Sequence, residues 1–198
     1  MKRLLLCLFI CAVIIPSVFA RSSDDDEFES GRIFGITPGV RISIIGLEPM
    51  VAVNLTNLEI EGACAFNTGV DGKQFGYAPS VSIAYNSNPF EKGGFAAFGG
   101  EYMFLTPAYT NMLPRALDKN YDEDAIPGIH AVSLFYKGGY NFNTIVGITW
   151  RIRLPVFIGA KGETEDESFN LNITNLPGFA ACFLIGICTT SIGVKFTL

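Results

Sequence analysis

Residues 191–198, SIGVKFTL, end the chain with polar or small residues alternating with apolar ones up to the last position. Successive side chains of a β-strand point to opposite faces, so the segment predicts a strand with one apolar and one polar face. The apolar face holds Ile192, Val194, Phe196 and Leu198, and the polar face holds Ser191, Gly193, Lys195 and Thr197.

The same alternation recurs along the chain and predicts an all-β fold with about eight strands. Turn-forming residues separate the segments, including those at 46–49, 68–73, 86–94 and 141–143. The predicted strands are residues 32–45, 50–66, 75–85, 94–105, 128–140, 143–158, 178–188 and 190–198.

The amino terminus has the pattern of a secretory signal peptide. Lys2 and Arg3 precede an apolar run from Leu4 to Ile15, and small residues follow up to Ala20. The run is shorter than the roughly 20 residues that a membrane-spanning helix needs. We therefore predict cleavage after Ala20, an acidic disordered leader over residues 21–31, and one domain over residues 32–198.

The composition limits the classes of function. The chain is 49% hydrophobic and 17% charged, yet residues 21–198 contain no apolar run long enough for a spanning helix. Cleavage of the signal peptide makes the net charge two units more negative than the −5 of the full chain. This acidic balance argues against a nucleic-acid partner. In lipid, a spanning structure that is not helical has to be a closed barrel.

The polar faces of the predicted strands mix small residues with single charges, a pattern that suits the narrow lumen of an eight-stranded barrel. Five bases and three acids are predicted to pair there. One interpretation is a polar plug that holds the strands in register, and the other is a narrow path or anion site lined by Arg151 and Arg153. The predicted lumen residues are Arg41, Glu59, Glu61, Glu101, Lys137, Arg151, Arg153 and Lys195.

Candidate chemistry is weak, so we predict that the protein is not an enzyme and has no cofactor or metal. His130 and Ser133 are three residues apart on one strand and face opposite ways, so they cannot act as base and nucleophile. The acidic run at 118–124 resembles half of a calcium loop, but Glu123 stands where that loop needs glycine. The three cysteines beyond residue 20 cannot form a complete set of disulfides.

The export signal, the alternating strands and the terminal motif together resemble the small eight-stranded outer-membrane barrels of the OmpA, OmpX and OmpW group. The resemblance implies a closed antiparallel up-and-down transmembrane β-barrel in the bacterial outer membrane. It also implies that the lipid bilayer and the barrel-assembly machinery are partners. The residues that match the assembly signal are Ser191, Gly193, Phe196 and Leu198.

Three functions stay open at this point. The first is a narrow, porin-like conduit of the OmpW kind for small hydrophobic molecules. The second is a structural or adhesive surface barrel that binds a host or envelope partner, and the third, disfavoured by His130, is a lipid-modifying enzyme.

The long connection at residues 106–127 poses a topological problem. The strand count given above places it after strand four, at the end of the barrel that holds the termini. The alternative replaces the strand in residues 32–48 by one in residues 163–175 and moves the connection to the other end. We favour the first count.

Overall fold

The computed structural model of the protein describes residues 32–44, 46–67, 75–111, 128–160 and 169–198. The predicted signal peptide (residues 1–20), the acidic leader (21–31) and the acidic run (118–124) lie outside the described residues. The backbone of Phe169 is described but its side chain is not.

The described residues form nine strands and two helices. Most predicted strands agree with observed ones to within a few residues at each end. The strands are β1 (Phe34–Ser43), β2 (Gly46–Leu55), β3 (Leu58–Asn67), β4 (Gly76–Asn86), β5 (Gly93–Leu105), β6 (Ile129–Asn141), β7 (Val146–Ala160), β8 (Phe169–Asn172) and β9 (Ser191–Phe196), and the helices are α1 (Pro107–Thr110) and α2 (Leu176–Thr189).

Eight of these strands close into an antiparallel barrel. Each strand from β1 to β7 pairs with the next one in sequence, and β9 pairs with both β7 and β1. The short strand β8 pairs with residues 157–160 of β7, beyond the part of β7 that pairs with β9. The predicted all-β, closed antiparallel barrel of eight strands is confirmed for the described residues.

The polarity of the barrel is inverted relative to that of a water-soluble protein. The apolar side chains of Ile148, Ile152 and Val194 point outward and are 41%, 51% and 39% exposed. The opposite positions of the same strands point into the lumen, where Thr149, Arg151 and Lys195 are buried. The alternation of the sequence therefore separates an apolar outer wall from a polar interior.

Predicted strand 50–66 is wrong, because the structure divides it into β2 and β3. The chain reverses at Thr56 and Asn57, where Thr56 has a φ of 51°. This left-handed conformation is uncommon for a residue other than glycine, so the sequence gives no ordinary turn signal here. Residues 46–49, predicted as a turn, instead begin β2.

Predicted strand 178–188 is also wrong, because these residues belong to helix α2. The Asn175 side chain caps the helix by accepting a hydrogen bond from the backbone N–H of Gly178 at 2.7 Å. Pro177 lies in the first turn, where its missing N–H costs nothing. An apolar segment that starts with these two signals favours a helix over a strand.

The extra strand in residues 50–66 resolves the topological problem. Phe34 and Leu198 lie at one end of the barrel, here called the termini end, where Leu198 exchanges backbone hydrogen bonds with Ile36. The turns at 56–57, 87–92 and 142–145 lie at the same end. β5 ends and β6 begins at the opposite end, called the far end. Of the two predicted placements of residues 106–127, the favoured one is wrong about the end of the barrel. The alternative has the correct end, but it wrongly removes β1 and wrongly counts residues 163–175 as a barrel strand, since the described residues 169–172 form only the short β8.

Candidate functional site: the charged lumen

The lumen contains every charged side chain of the described strands. Each of these nine side chains is at most 3% exposed. Eight are residues predicted from the sequence, and the ninth is Glu48 of β2. They are Arg41, Glu48, Glu59, Glu61, Glu101, Lys137, Arg151, Arg153 and Lys195.

Glu61 of β3 is the centre of the network, because three cations contact its carboxylate. The Nη2 atoms of Arg41 and Arg151 lie 2.5 and 2.8 Å from Glu61 Oε1. The Nζ atom of Lys137 lies 3.1 Å from Glu61 Oε2. This one carboxylate therefore links β3 to β1, β6 and β7 across the barrel.

Arg153 of β7 forms a second centre nearer the far end. Its Nε atom donates to Glu101 Oε2 at 2.6 Å, and its Nη2 atom donates to Glu48 Oε1 at 2.5 Å. Its Nη1 atom also donates to the backbone carbonyl of Thr189, the last residue of α2, at 2.5 Å. Arg153 thus ties the helix to the ion pairs of the lumen.

The part of the lumen nearer the termini end is less completely paired. Lys137 contacts Glu59, which also accepts a hydrogen bond from Asn86 Nδ2 at 2.9 Å. Lys195 lies over the ring of Phe95, with Nζ 3.6 Å from the ring centroid. No carboxylate of the described residues lies within ion-pair distance of Lys195.

Helix α1 covers the lumen at the far end. Tyr109 is buried there against small and apolar side chains of β3 to β6, including Ala65, Ala78 and Met103. Burial raises the pKa of the Tyr109 hydroxyl, and the charge of Glu48 raises it further. Tyr109 therefore stays neutral, and its side chain covers the polar interior of the barrel at the far end.

The turn between β4 and β5 covers the lumen at the termini end. The Asn141 side chain donates to the backbone carbonyl of Glu91 at 2.8 Å, which draws the turn toward the lumen. The ring of Phe90 fills the space beside Gly35, where an added Cβ would lie 2.6 Å from the ring. Among the described residues, both ends of the lumen are therefore covered and its middle is crossed by ion pairs.

The four residues that match the assembly signal lie at the seam where β9 closes the barrel. Ser191 and Gly193 occupy lumen-facing positions, and Phe196 and Leu198 are exposed on the outer side. β9 pairs with residues 39–43 of β1 and with residues 146–151 of β7. Phe196 and Leu198 are 42% and 66% exposed on the outer wall of the closed barrel.

His130 and Ser133 face opposite sides of β6, as their spacing predicts. Ser133 is buried in the lumen, whereas His130 is exposed on the outer wall. The His130 Nδ1 atom shares a hydrogen bond with the Tyr102 hydroxyl at 2.5 Å, and its ring packs on Phe104 with centroids 4.8 Å apart. His130 is thus part of an outer aromatic cluster and has no contact with Ser133.

Other recognisable sites are lacking in the described part of the chain. It contains no group of three or more His, Cys, Asp or Glu side chains arranged to hold a metal ion. Cys64, Cys182 and Cys188 are free thiols. Neither described helix has the length and apolar character needed to cross a membrane. Comparison with protein-family models, curated proteins and solved structures finds no match to this chain.

Proposed function

We propose that the protein is an integral β-barrel of the bacterial outer membrane with a closed lumen and a structural or adhesive role at the cell surface. One observation carries the membrane assignment: all nine charged residues of the described strands face the lumen. The outward positions carry no Asp, Glu, Lys or Arg. A sheet surface in water has no reason to exclude charge, whereas a lipid-facing one does.

The aromatic residues of the outer wall support the same proposal. Those at the termini end are Phe34, Tyr85, Tyr140 and Phe142, and those at the far end are Phe75, Tyr77, Phe104 and Phe157. Transmembrane barrels carry such girdles where the bilayer meets water. The predicted signal peptide and the terminal motif, which imply export and contact with the barrel-assembly machinery, agree with this location.

Fractionation of cells followed by gel electrophoresis tests the membrane assignment. We expect the protein in the outer-membrane fraction and a change in its migration after boiling, because a folded barrel binds detergent differently from an unfolded chain. Release into the aqueous periplasmic fraction, with the same migration before and after boiling, would refute it.

Protease digestion of intact cells is a separate test. Trypsin is expected to cut at Arg115 or Lys119, since β5 ends and β6 begins at the far end of the barrel, opposite the termini.

The closed lumen favours a structural or adhesive role over axial transport. The ion pairs of Glu61 and Arg153 cross the axis, and moving either charge out of the network would leave its partners buried and unpaired. We expect the purified protein to show no single-channel conductance in planar bilayers. Replacing Arg151 by Leu distinguishes a polar plug from a narrow path. If the variant changed the conductance but left the stability to heat the same, the interpretation of the lumen as a plug would be contradicted.

A conduit for small hydrophobic molecules is a second candidate, and one observation favours a route through the wall. Residues 152–155 of β7 have no strand partner on the edge that faces away from β6. Helix α2 covers this edge, and neither the helix nor its flanking residues carry a charge. Liposome permeation by hydrophobic solutes, compared with that of ions, would distinguish this candidate from a barrel without transport.

A further inference from the structure

Residues 88–92, here called the cover, form a compact unit over the termini end of the lumen. Just before the cover, the backbone N–H of Ser87 donates to the carbonyl of Ala96 at 2.8 Å, so β4 and β5 are still joined there. Within the cover, the backbone N–H of Glu91 donates to Asn88 Oδ1 at 3.1 Å. The cover is therefore held in shape by its own side chain and is attached to the strands at its two ends.

The junction of the cover with β5 has the properties of a hinge. Gly93, the first residue of β5, has a φ of 123°, and an added Cβ would meet nothing within 4 Å. Glycine has access to many backbone conformations at little steric cost, and residues at the ends of elements often serve as hinges. Gly93 and Gly94 also pair with β6. Rotation about the N–Cα bond of Gly93 thus swings the cover while β5 stays in the sheet.

Neutral contacts hold the cover against the wall. The Asn141 side chain donates to the backbone carbonyl of Glu91 at 2.8 Å and to that of Asn88 at 3.4 Å. The ring of Phe90 lies beside Gly35, where an added Cβ would be 2.6 Å from it. The ion pairs of the described residues all lie in the lumen and include none from the cover. The cover can therefore leave the wall without unpairing a charge.

Asn141 connects the cover to the neighbourhood of Lys195. Asn141 Oδ1 lies 2.8 Å, and Lys195 Cε 3.2 Å, from the position of a Cβ added to Gly147, so the two side chains meet in front of that glycine. Asn141 Oδ1 is one of six buried side-chain polar atoms without a hydrogen-bond partner among the described residues. Lys195 is the lumen cation without an ion pair. An acceptor and a cation that both lack partners are costly where water does not reach them.

We propose that the cover is a lid that opens about Gly93 and admits water and small polar solutes to Lys195 from the termini end. Opening breaks the hydrogen bonds from Asn141 to the cover and gives Asn141 Oδ1 and Lys195 the hydration that they lack. Access ends at the ion pair of Lys137 with Glu59, so the lid opens a compartment and no axial path. The lid requires only the folded barrel and is independent of the membrane assignment.

Acetylation of lysines in the folded full-length protein tests the lid. The protein in detergent micelles is treated in alkaline buffer with a water-soluble N-hydroxysuccinimide ester, and the rate at each lysine is followed by peptide mass spectrometry. We expect Lys92, which is exposed, to react first, Lys195 to follow, and Lys137 to react much more slowly than Lys195. Equal rates at Lys137 and Lys195 would mean that both react through unfolding of the barrel, and would overturn the proposal. So would a Lys195 that stays unmodified.

Two variants assign the opening to the contact made by Asn141. Asn141→Ala is expected to raise the acetylation rate of Lys195 about tenfold and to leave that of Lys92 unchanged, because it removes the hydrogen bonds that close the lid. Asn54→Ala is the matched control, since Asn54 is a buried lumen amide that donates to Thr37 and does not contact the cover. It should keep the wild-type rates. A folded Asn141→Ala protein with the wild-type rate at Lys195 would overturn the proposal, and the wild-type comparison requires no variant that folds.

Discussion

Glu61 shows how a single residue controls the interior of this barrel. Its carboxylate contacts Arg41, Lys137 and Arg151, and all four side chains are almost completely buried. The pairs are not in themselves strong evidence of stability, since an apolar replacement of a whole buried network is often neutral. Removal of one partner is different, because it leaves charges buried without compensation.

Replacing Glu61 by Gln is therefore expected to destabilise the barrel strongly. The loss should be about 3–5 kcal/mol of unfolding free energy, because three cations lose one shared counter-charge. Urea unfolding of the refolded protein in detergent measures it. Glu91→Gln, at an exposed position in the β4–β5 turn, is the control and should change little. Equal stability of the two variants would contradict the role assigned to Glu61.

Most lumen residues could be predicted from the sequence, because a charged side chain on the polar face of an alternating strand points into the lumen with the rest of that face. Glu48 was missed because Gly46 and Pro49 resemble a turn. The sequence nevertheless indicated that Glu48 points inward, because Leu47, Pro49 and Val51 continue the outward alternation of β2. The register that brings charges together, by contrast, depends on strand pairing, which a single sequence does not specify.

At the scale of elements, the β2–β3 turn adopts a conformation that its sequence does not favour. Thr56 is a β-branched residue at a φ of 51°. The Asn57 side chain stabilises the turn by donating to the backbone carbonyl of Asn86 at 2.8 Å. Long-range support of this kind explains why local turn signals failed to divide residues 50–66.

Replacing Thr56 by Gly is expected to stabilise the protein. Glycine adopts the left-handed conformation without steric cost, so the unfolding free energy should rise by up to about 1 kcal/mol. Asn57→Gly is the control, because Asn57 has no positive φ and makes a hydrogen bond that glycine cannot. It should destabilise the turn. Equilibrium unfolding of both variants checks the prediction, and a less stable Thr56→Gly protein would contradict it.

Helix α2 packs against β7 and the short strand β8 through small residues on one side. Gly178, Cys182 and Gly186 are buried at helical spacing, while Leu184 and Ile187 on the other side are exposed. This spacing, with Asn175 and Pro177 before it, was the signal for a helix in the sequence. Alternation alone could not reveal it, because a uniformly apolar segment fits a buried strand equally well.

Replacing Gly186 by Leu is expected to displace the helix from β7. A Cβ at this position would lie 2.5 Å from the backbone carbonyl oxygen of Arg153, so a larger side chain overpacks the contact. The unfolding free energy should fall by about 1–3 kcal/mol. Ala180→Leu adds the same side chain at an exposed position of the same helix and is the control. Equal effects of the two substitutions would show that this contact does not hold the helix.

At the scale of the whole molecule, the central feature is the inverted polarity of a closed barrel. The sequence predicted it because the polar faces of the strands combine small residues with single charges. The structure adds that eight of these nine charges form a connected network of ion pairs, with Lys195 outside it, and that Tyr109 covers the network at one end and Phe90 at the other. A barrel of this kind has an apolar outer wall in place of an apolar core, and our proposed membrane location requires hydrocarbon around that wall.

Trp150 provides the most direct test of that requirement, because it is the only tryptophan of the chain and lies on the outward face of β7. It pairs with Gly138 on one side and Ile192 on the other, within the wall of the barrel. The protein is reconstituted into vesicles of phospholipids with or without bromine on the acyl chains, and its fluorescence is recorded. We expect strong quenching by the brominated chains. Equal emission from the folded protein in the two kinds of vesicle would contradict a lipid-facing outer wall.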